Sequence, residues 1–213
     1  LSNDQGLIAA FESGEDLHST VGAQVFGVKP NEVDAEMRRT IKAMSYGLAY
    51  GLSAFGLSQQ LDIDPTEAGE LMNKYFERFG GIRDYLKLVV VEAREKGYTE
   101  TIMGRRRYLP DLNHDNRMRR EIAERAALNA PIQGSAADII KIALLKVNSE
   151  IEKADLKSRA LLQVHDELIF EVMPGERDKL ETIVKRQMSE AFKLRVPLDV
   201  NIGFGTSWDA AAH

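Results

Sequence analysis

Apolar residues recur every three or four positions along most of the chain, the pattern of helices that pack one face into a core. One helix has a clear start at Asp64 and Pro65, a capping residue followed by proline at the first helical position. The segment from Pro131 to Gly134 interrupts another helical pattern, which predicts separate helices on its two sides. The predicted helices cover residues 5–12, 18–26, 37–51, 53–61, 64–79, 81–96, 116–130, 135–154 and 174–192.

Other segments are rich in β-formers and predict strands. A hairpin around Gly104 is predicted by YTETIMGRRRYLP at 98–110, and two strands around a tight polar centre by RALLQVHDELIFEV at 159–172. A last strand is predicted by VPLDVNIGFG at 196–205. Because helices come first and strands later, the sequence predicts an α+β fold with a mostly helical part and a small antiparallel sheet with flanking helices.

The composition is that of an ordinary globular protein, with 44% hydrophobic and 29% charged residues. The sequence contains no Cys, which excludes disulfides, thiolate nucleophiles and cysteine-based zinc sites and favours a reducing compartment such as the cytoplasm. We find no long apolar run and no basic, apolar start typical of a secretory signal. No membrane partner is therefore expected.

The formal net charge of -5 argues against a nucleic-acid partner when it is taken alone. The basic residues, however, are clustered, whereas the acidic residues are spread through the helical segments. For any single cluster a solvated helix face is the simpler explanation. The clusters are Arg38, Arg39 and Lys42; Arg105 to Arg107; and Arg117, Arg119 and Arg120.

One predicted helix presents cations and aromatics at intervals of four residues, in the order Arg38, Lys42, Tyr46 and Tyr50. Such a stripe winds by only about 40° per step, so all four side chains share a face. Cations followed by aromatic rings suit the phosphates and the base of a nucleoside triphosphate. An amphipathic helix with aromatic anchors explains the same spacing without any ligand.

The segment HDE, His165 to Glu167, lies between two apolar strand runs. A hairpin tip there would expose neighbouring carboxylates at the end of a rigid sheet, where oxygen ligands could hold Mg²⁺ for phosphoryl transfer. A polar β-turn without function is the alternative, because Asp is common in turns.

Two further groups suit contacts with a nucleic-acid duplex. Their common feature is a set of hydrogen-bond donors on one face or one extended arm, which fits minor-groove edges, sugars and phosphates. A solvated helix face and a solubilising edge strand are the alternatives. The groups are Arg125, Asn129 and Gln133 at intervals of four, and Arg105, Arg106 and Arg107 on the return arm of the first hairpin.

Taken together and in this order, these blocks resemble the family A DNA polymerases of bacteria over essentially the whole chain. MRRTIKAMSYGLAYG is similar to the fingers helix, motif B, and QVHDELIFEV to the palm hairpin, motif C. APIQGSAADIIK, TIMGRRRYLPDL and EDLHSTVGAQVFGV are similar to further blocks of the family. The resemblance implies a palm segment at 1–15 leading into the fingers, a fingers subdomain at 16–115 and the C-terminal palm with its hairpin at 116–213.

The resemblance also implies roles for individual residues. His18, Arg38 and Lys42 would bind the phosphates of a deoxynucleoside triphosphate, and Lys42 would also protonate the pyrophosphate leaving group. Tyr46 would lie against sugar and base, and Tyr50 would stack at the template side of the new base pair. The remaining roles would be metal binding by Asp166, a place near the primer terminus for Glu167 and His165, and primer-template contacts by Arg105, Arg106, Arg107, Arg125, Asn129 and Gln133.

The family's first palm strand, motif A, has no counterpart in these residues. Its aspartate and Asp166 would together hold two Mg²⁺ ions, so the site would be incomplete here. The chain lacks an initiator Met and begins within a pattern, so we expect it to be part of a longer chain. By itself it is expected to be inactive until the missing N-terminal palm and thumb are supplied.

The resemblance implies a DNA-directed DNA polymerase that acts in bacterial DNA replication and repair, in the nucleoid-associated cytoplasm. Its partners would be primer-template DNA, deoxynucleoside triphosphates and the missing N-terminal part of the same polymerase. A non-catalytic module that binds nucleotides or DNA is the alternative from another class. A metal-dependent phosphohydrolase is a more distant possibility, because one carboxylate pair makes a poor hydrolytic metal site.

Overall fold

In the computed structural model, residues 1–14 and 16–211 are described, and their fold is α+β, as predicted. The strands are β1 (Tyr98–Glu100), β2 (Arg106–Tyr108), β3 (Arg159–Val164) and β4 (Glu167–Glu171). The α-helices are α1 (Gln5–Glu12), α2 (Leu17–Phe26), α3 (Ala35–Ala49), α4 (Ala54–Leu61), α5 (Pro65–Arg78), α6 (Gly80–Lys96), α7 (Arg117–Lys153), α8 (Arg177–Ser189) and α9 (Trp208–Ala211).

The chain forms two compact units, Leu1–Gly134 and Ser135–His213. In the first unit the early helices surround an apolar core, and α3 contributes one whole face to it. That face is completely or almost completely buried, as are side chains from α2, α4, α5 and the α5–α6 junction that pack around it. The buried side chains include Ile41, Met44 and Leu48 of α3 with Val21, Leu57, Tyr75 and Phe79.

Aspartates cap the helices that build this unit. Asp4, Asp16, Asp34 and Asp64 each precede a helix and accept a hydrogen bond from a backbone N–H of its first turn. Asp4 also accepts a hydrogen bond from the backbone N–H of Gly81 at 2.9 Å, which links the start of α1 to the start of α6. The starts of these four helices are therefore stabilised by aspartates that the sequence shows directly.

The predicted break at 131–134 is wrong, because α7 runs without interruption from Arg117 to Lys153 with Pro131 inside it. Proline removes one backbone donor and costs about 3 kcal/mol in a helix interior. The flanking parts are held by packing: Ala123 and Ala127 are buried in the first unit, and Val147 and Ile151 are buried in the second. This burial outweighs the local preference of proline.

The second unit is built from the later part of α7, the β3–β4 hairpin and α8. Its buried core consists of apolar side chains from α7 and α8, against which Phe170 of β4 packs. β3 and β4 are antiparallel, as predicted, with Val164 opposite Glu167. The core side chains are Val147, Ile151, Leu180, Ile183 and Val184.

The strand predicted at 196–205 is wrong, because these residues form no helix or strand. Alternating side chains are compatible with a strand, but a strand also needs a neighbour that pairs with its backbone. β3 and β4 pair with each other, and among the described strands neither pairs with residues 196–205. The alternating pattern of residues 196–205 therefore does not produce a strand.

A buried serine and a glutamate join the start of β3 to the start of α8. The Glu176 carboxylate accepts hydrogen bonds from the Ser158 hydroxyl at 2.6 Å and from the backbone N–H groups of Ser158 and Lys157. The Ser158 hydroxyl in turn accepts one from the backbone N–H of Met173 at 2.9 Å. These bonds hold the pKa of Glu176 below its ordinary value of 4.5.

Because the pKa of Glu176 is lower in the folded state, its ionised form stabilises the fold above pH 4.5, and this contribution is lost as the pH falls through the lowered pKa. We expect Glu176→Gln to lower the melting temperature of the chain at neutral pH by several degrees. The difference from the parent chain should shrink as the pH is lowered below that value. Thermal melts followed by circular dichroism over a pH series measure both effects.

Glu152→Gln, an exposed carboxylate on α7, is the matched control and should follow the parent at every pH. A Glu176→Gln curve that runs parallel to the parent down to acid pH would show that the carboxylate charge adds nothing to the network.

Among the described helices, none combines the length and the apolar character needed to cross a bilayer.

Candidate functional site

The face of α3 opposite its buried residues carries Arg38, Lys42 and Tyr46, all of them exposed. Tyr50 follows as the C-cap residue and is also exposed. The structure therefore places the cations and the aromatics on the solvent side of one helix, in the order of the predicted stripe. The opposite face is closed by the apolar core, so this side of α3 is the one open to a ligand.

Helix α2 brings His18 to the same place. The ring centroids of His18 and Tyr46 are 6.2 Å apart, with the ring planes tilted by 47°. The Arg38 guanidinium also contacts the start of α2, where Nη2 lies 2.7 Å from Asp16 Oδ1 and Nη1 donates to Ser19 Oγ at 3.4 Å. His18, Arg38 and Tyr46 thus lie together where α2 packs against α3. Among the described residues, Lys42 makes no ring contact or hydrogen bond to α2.

Sequence reasoning missed Asp16, which is both the N-cap of α2 and the ion-pair partner of Arg38. Partial desolvation raises the pKa of Asp16, but hydrogen bonds from Ser19 and the charge of Arg38 outweigh it, so this pKa lies below its ordinary value. The carboxylate is therefore ionised at neutral pH. An aspartate immediately before a helical pattern is a capping signal, but nothing in the sequence pairs it with Arg38.

The turn that follows α3 lies against α7. Gly51 has φ +71, and a Cβ built on it would lie 3.0 Å from Leu128 Cδ1 and 3.2 Å from Arg125 Cγ. A side chain at this position would therefore be strained by its backbone and crowded by its neighbours. Tyr50 is thus next in sequence to a glycine that lies against Arg125 and Leu128.

Arg125, Asn129 and Gln133 follow one another at intervals of four on α7. Arg125 and Gln133 are exposed, whereas Asn129 is half-buried. The side-chain oxygen of Asn129 is buried and accepts no hydrogen bond within the described residues. Buried amide oxygens are normally hydrogen-bonded, so this oxygen is an exception, and Arg125 and Gln133 are the members of the group that are open to solvent.

The three arginines of the first hairpin are not equivalent. Arg105 Nη2 donates to the carbonyl oxygen of Gly134 at 3.0 Å. Arg106 Nε lies 2.7 Å from Glu100 Oε1 and its guanidinium stacks over Tyr98 at 4.5 Å, and the hydrogen bond to Glu100 raises the pKa of Arg106. Arg107 is exposed, and no ion pair holds it within the described part of the chain.

The β3–β4 hairpin turns tightly at its tip. Because Val164 pairs with Glu167, only His165 and Asp166 remain in the turn, and His165 adopts φ +53. Both turn residues and Glu167 are exposed. Glu167 Oε2 accepts a hydrogen bond from Trp208 Nε1 at 3.3 Å, a contact between the hairpin and α9 that the sequence did not predict.

The family model of DNA polymerase family A matches residues 1–210. This chain belongs to DNA polymerase family A. The resemblance inferred from the motif blocks is thus confirmed. The chain is 63% identical to DNA polymerase I of Mycobacterium tuberculosis (strain H37Rv) over 213 residues, and 45% identical to that of Caldicellulosiruptor bescii over 208 residues.

The chain spans about a quarter of the length of these relatives, since the alignments cover 100% and 98% of this chain but 24% of each relative. Among solved structures it is similar to the POL domain of Pol1 from M. smegmatis, a structure of a complex with DNA primer-template and dNTP. The TM-score is 0.97 and the identity 62%, over 100% of this chain and 38% of that one.

Family A DNA polymerases generally depend on Mg²⁺, and the donors at the hairpin tip suit this ion. Asp166 and Glu167 supply carboxylate oxygens, the ligands that Mg²⁺ prefers. Within the described residues, however, no group of three or more His, Cys, Asp or Glu side chains is arranged to hold a metal ion. Asp166 and Glu167 therefore fit part of a magnesium site.

Proposed function

We propose that this chain is the fingers and C-terminal palm region of a DNA-directed DNA polymerase that acts in DNA replication and repair. The reaction is template-directed nucleotidyl transfer with release of pyrophosphate. The observation that carries the proposal is the exposed face of α3, where Arg38, Lys42 and Tyr46 lie together with His18 in a family A chain. Palm, fingers and their boundaries at residues 15 and 115 remain predictions.

In this proposal the α3 face binds the deoxynucleoside triphosphate. Arg38 and His18 bind its outer phosphates, and Lys42, one helical turn further, binds a phosphate and donates a proton to the leaving pyrophosphate. Tyr46 packs against sugar and base, and Tyr50 stacks at the template base. The order of the groups along α3 matches the order of phosphates, sugar and base in the substrate.

The β3–β4 tip serves the reacting end of the primer. Asp166 holds Mg²⁺, and Glu167 and His165 lie beside the primer terminus. When bound, Mg²⁺ polarises the phosphoryl group and stabilises the charge that develops on the attacking and leaving oxygens. The hydrogen bond from Trp208 limits the rotamers of Glu167, which keeps its carboxylate near the tip.

We assign the primer-template to α7 and the first hairpin. Arg125, Asn129 and Gln133 contact the duplex near the insertion site, where the exposed side chains of Arg125 and Gln133 can reach it directly. Arg107 reaches a phosphate directly, whereas Arg105 and Arg106 mainly hold the hairpin through Gly134 and Glu100.

The other partner is the rest of the polymerase, which supplies the second metal-binding aspartate and the thumb. This assembly works in the bacterial cytoplasm at the nucleoid.

A chimera tests the proposal. The matching 213 residues of M. tuberculosis DNA polymerase I are replaced by this chain, and primer extension is measured with Mg²⁺. We expect template-dependent extension by the chimera and none by this chain alone, because the described residues hold only part of the metal site. A folded chimera that binds primer-template without extending it would favour the non-catalytic binding module instead.

The Tyr46 hydroxyl leads to a prediction about sugar selection. It could replace a hydrogen bond of the 3′-hydroxyl that dideoxynucleotides lack, so we expect the chimera to accept them readily. Tyr46→Phe should discriminate against dideoxynucleotides by about fivefold more, the value of one hydrogen bond of about 1 kcal/mol. Ratios of kcat/KM for a deoxynucleotide and its dideoxy analogue measure the effect. Tyr85→Phe, in the same unit, is the matched control.

Equal dideoxy discrimination by the chimera and its Tyr46→Phe variant would show that this hydroxyl does not contribute to sugar selection.

A further inference from the structure

The carboxylate of Asp16 is held in a defined orientation next to the exposed face of α3, where Arg38 and Lys42 are proposed to bind phosphates. Its Oδ2 accepts a hydrogen bond from the backbone N–H of Ser19 at 2.7 Å, as part of the N-cap of α2. Its Oδ1 lies 2.7 Å from Arg38 Nη2. Because the helix backbone fixes one oxygen, the other offers Arg38 a fixed partner.

The contact restricts Arg38 but leaves it donors for another partner. Arginine has five N–H donors, of which Asp16 and the Ser19 hydroxyl engage those on Nη2 and Nη1 that face α2. An unpaired arginine side chain loses rotamer freedom when a ligand orders it, which weakens binding. Here the protein has already ordered much of the side chain before a phosphate arrives.

The ion pair with Asp16 also places Arg38 near His18, the second proposed phosphate ligand. Asp16 lies two residues before His18 on the same helix start, and His18 is in turn beside Tyr46. The ion pair thus links Arg38 of α3 to the helix that carries His18. Both proposed phosphate ligands are therefore positioned relative to one element, α2.

We propose that Asp16 is a positioning residue that holds Arg38 ready for the triphosphate of the incoming deoxynucleotide. This inference rests on the proposed polymerase function. Asp16 acts through Arg38 and contacts neither the nucleotide nor a metal. Since the two side chains are 39% and 50% exposed, the ion pair is partly screened and its effect is modest.

Asp16→Asn separates positioning from helix capping. Asn caps helices about as well as Asp, so α2 keeps its start while the charge that holds Arg38 is removed. Asp64→Asn is the matched control, because Asp64 caps α5 in the same way through Thr66 and pairs with no arginine among the described residues.

The variants are made in the M. tuberculosis chimera, and KM for the deoxynucleotide and kcat are measured by primer extension. We expect Asp16→Asn to raise KM by roughly three- to fivefold, the upper part of the range for an exposed ion pair, while kcat changes by less than about twofold. Asp64→Asn should change neither, and both variants should melt at similar temperatures. In an Arg38→Ala background, Asp16→Asn should have no further effect on KM.

An unchanged or lowered KM for Asp16→Asn overturns the proposal, and a lowered KM would mean that Asp16 competes with the phosphate for Arg38. Effects of Asp16→Asn and Arg38→Ala that simply add would overturn it as well. If the chimera extends primers and Arg38→Ala raises KM, the polymerase function stands whatever the result for Asp16. A chimera without extension contradicts the function itself.

Discussion

Asp166→Ala is expected to reduce kcat for primer extension by the M. tuberculosis chimera by about a thousandfold or more. Asp166 occupies the exposed tip of the β3–β4 hairpin and is the proposed Mg²⁺ ligand of this chain. Charge stabilisation by a catalytic metal ion supplies several kcal/mol, and about 4 kcal/mol corresponds to a thousandfold. Single-turnover extension at saturating deoxynucleotide measures the loss.

Asp199→Ala, which removes another exposed carboxylate from the second unit, is the control and should extend primers at the parent rate. Asp166→Asn keeps the size of the side chain and should be nearly as defective as Asp166→Ala, because the amide is a poor magnesium ligand. Retention of more than a tenth of the parent kcat by Asp166→Ala would refute the metal role.

Lys42→Ala is expected to reduce kcat by about a hundredfold or more and also to raise KM for the deoxynucleotide. Lys42 is exposed on α3, one turn from Arg38 and one from Tyr46, where it would meet the phosphates. A positioned general acid contributes about a hundred- to ten-thousandfold. Lost phosphate binding raises KM, whereas lost proton transfer lowers kcat.

Lys42→Arg tests the two roles separately. Arginine keeps the positive charge but gives up a proton far less readily than lysine, so KM should stay near the parent value while kcat falls. Lys74→Ala, an exposed lysine on α5, is the matched control. Equal kcat for Lys42→Arg and the parent would leave Lys42 as a charge that binds phosphate and would exclude it as the acid.

Local patterns predicted much of the fold and of the candidate site. The spacing of Arg38, Lys42 and Tyr46 placed them on one face, and the structure has them exposed opposite the core residues of the same helix. Alternation around His165 and Asp166 predicted a hairpin with these residues at its tip, and the register confirms it. Both predictions rest on the repeat of residue types within one helix or one hairpin, and this repeat is visible in the local sequence.

Three features of the structure could not be predicted from local sequence patterns. α7 continues through Pro131 because its two ends are buried in two cores, and residues 196–205 form no strand because none of the described strands pairs with them. The ion pair between Asp16 and Arg38 joins residues that are 22 positions apart. Each depends on partners distant in sequence, which local propensity does not contain.

For this protein the sequence by itself determined the capped start of α5, the shared face of α3, the carboxylate hairpin and the family. Only the tertiary structure decided how the cations are used: it pairs Arg38 with Asp16, ties Arg106 to Glu100 and leaves Arg107 exposed. The physical reason is that a periodic pattern specifies which way a side chain points from its own element. Other helices and strands supply the charges, hydrogen bonds and packing partners of that side chain. Folding alone brings these elements together.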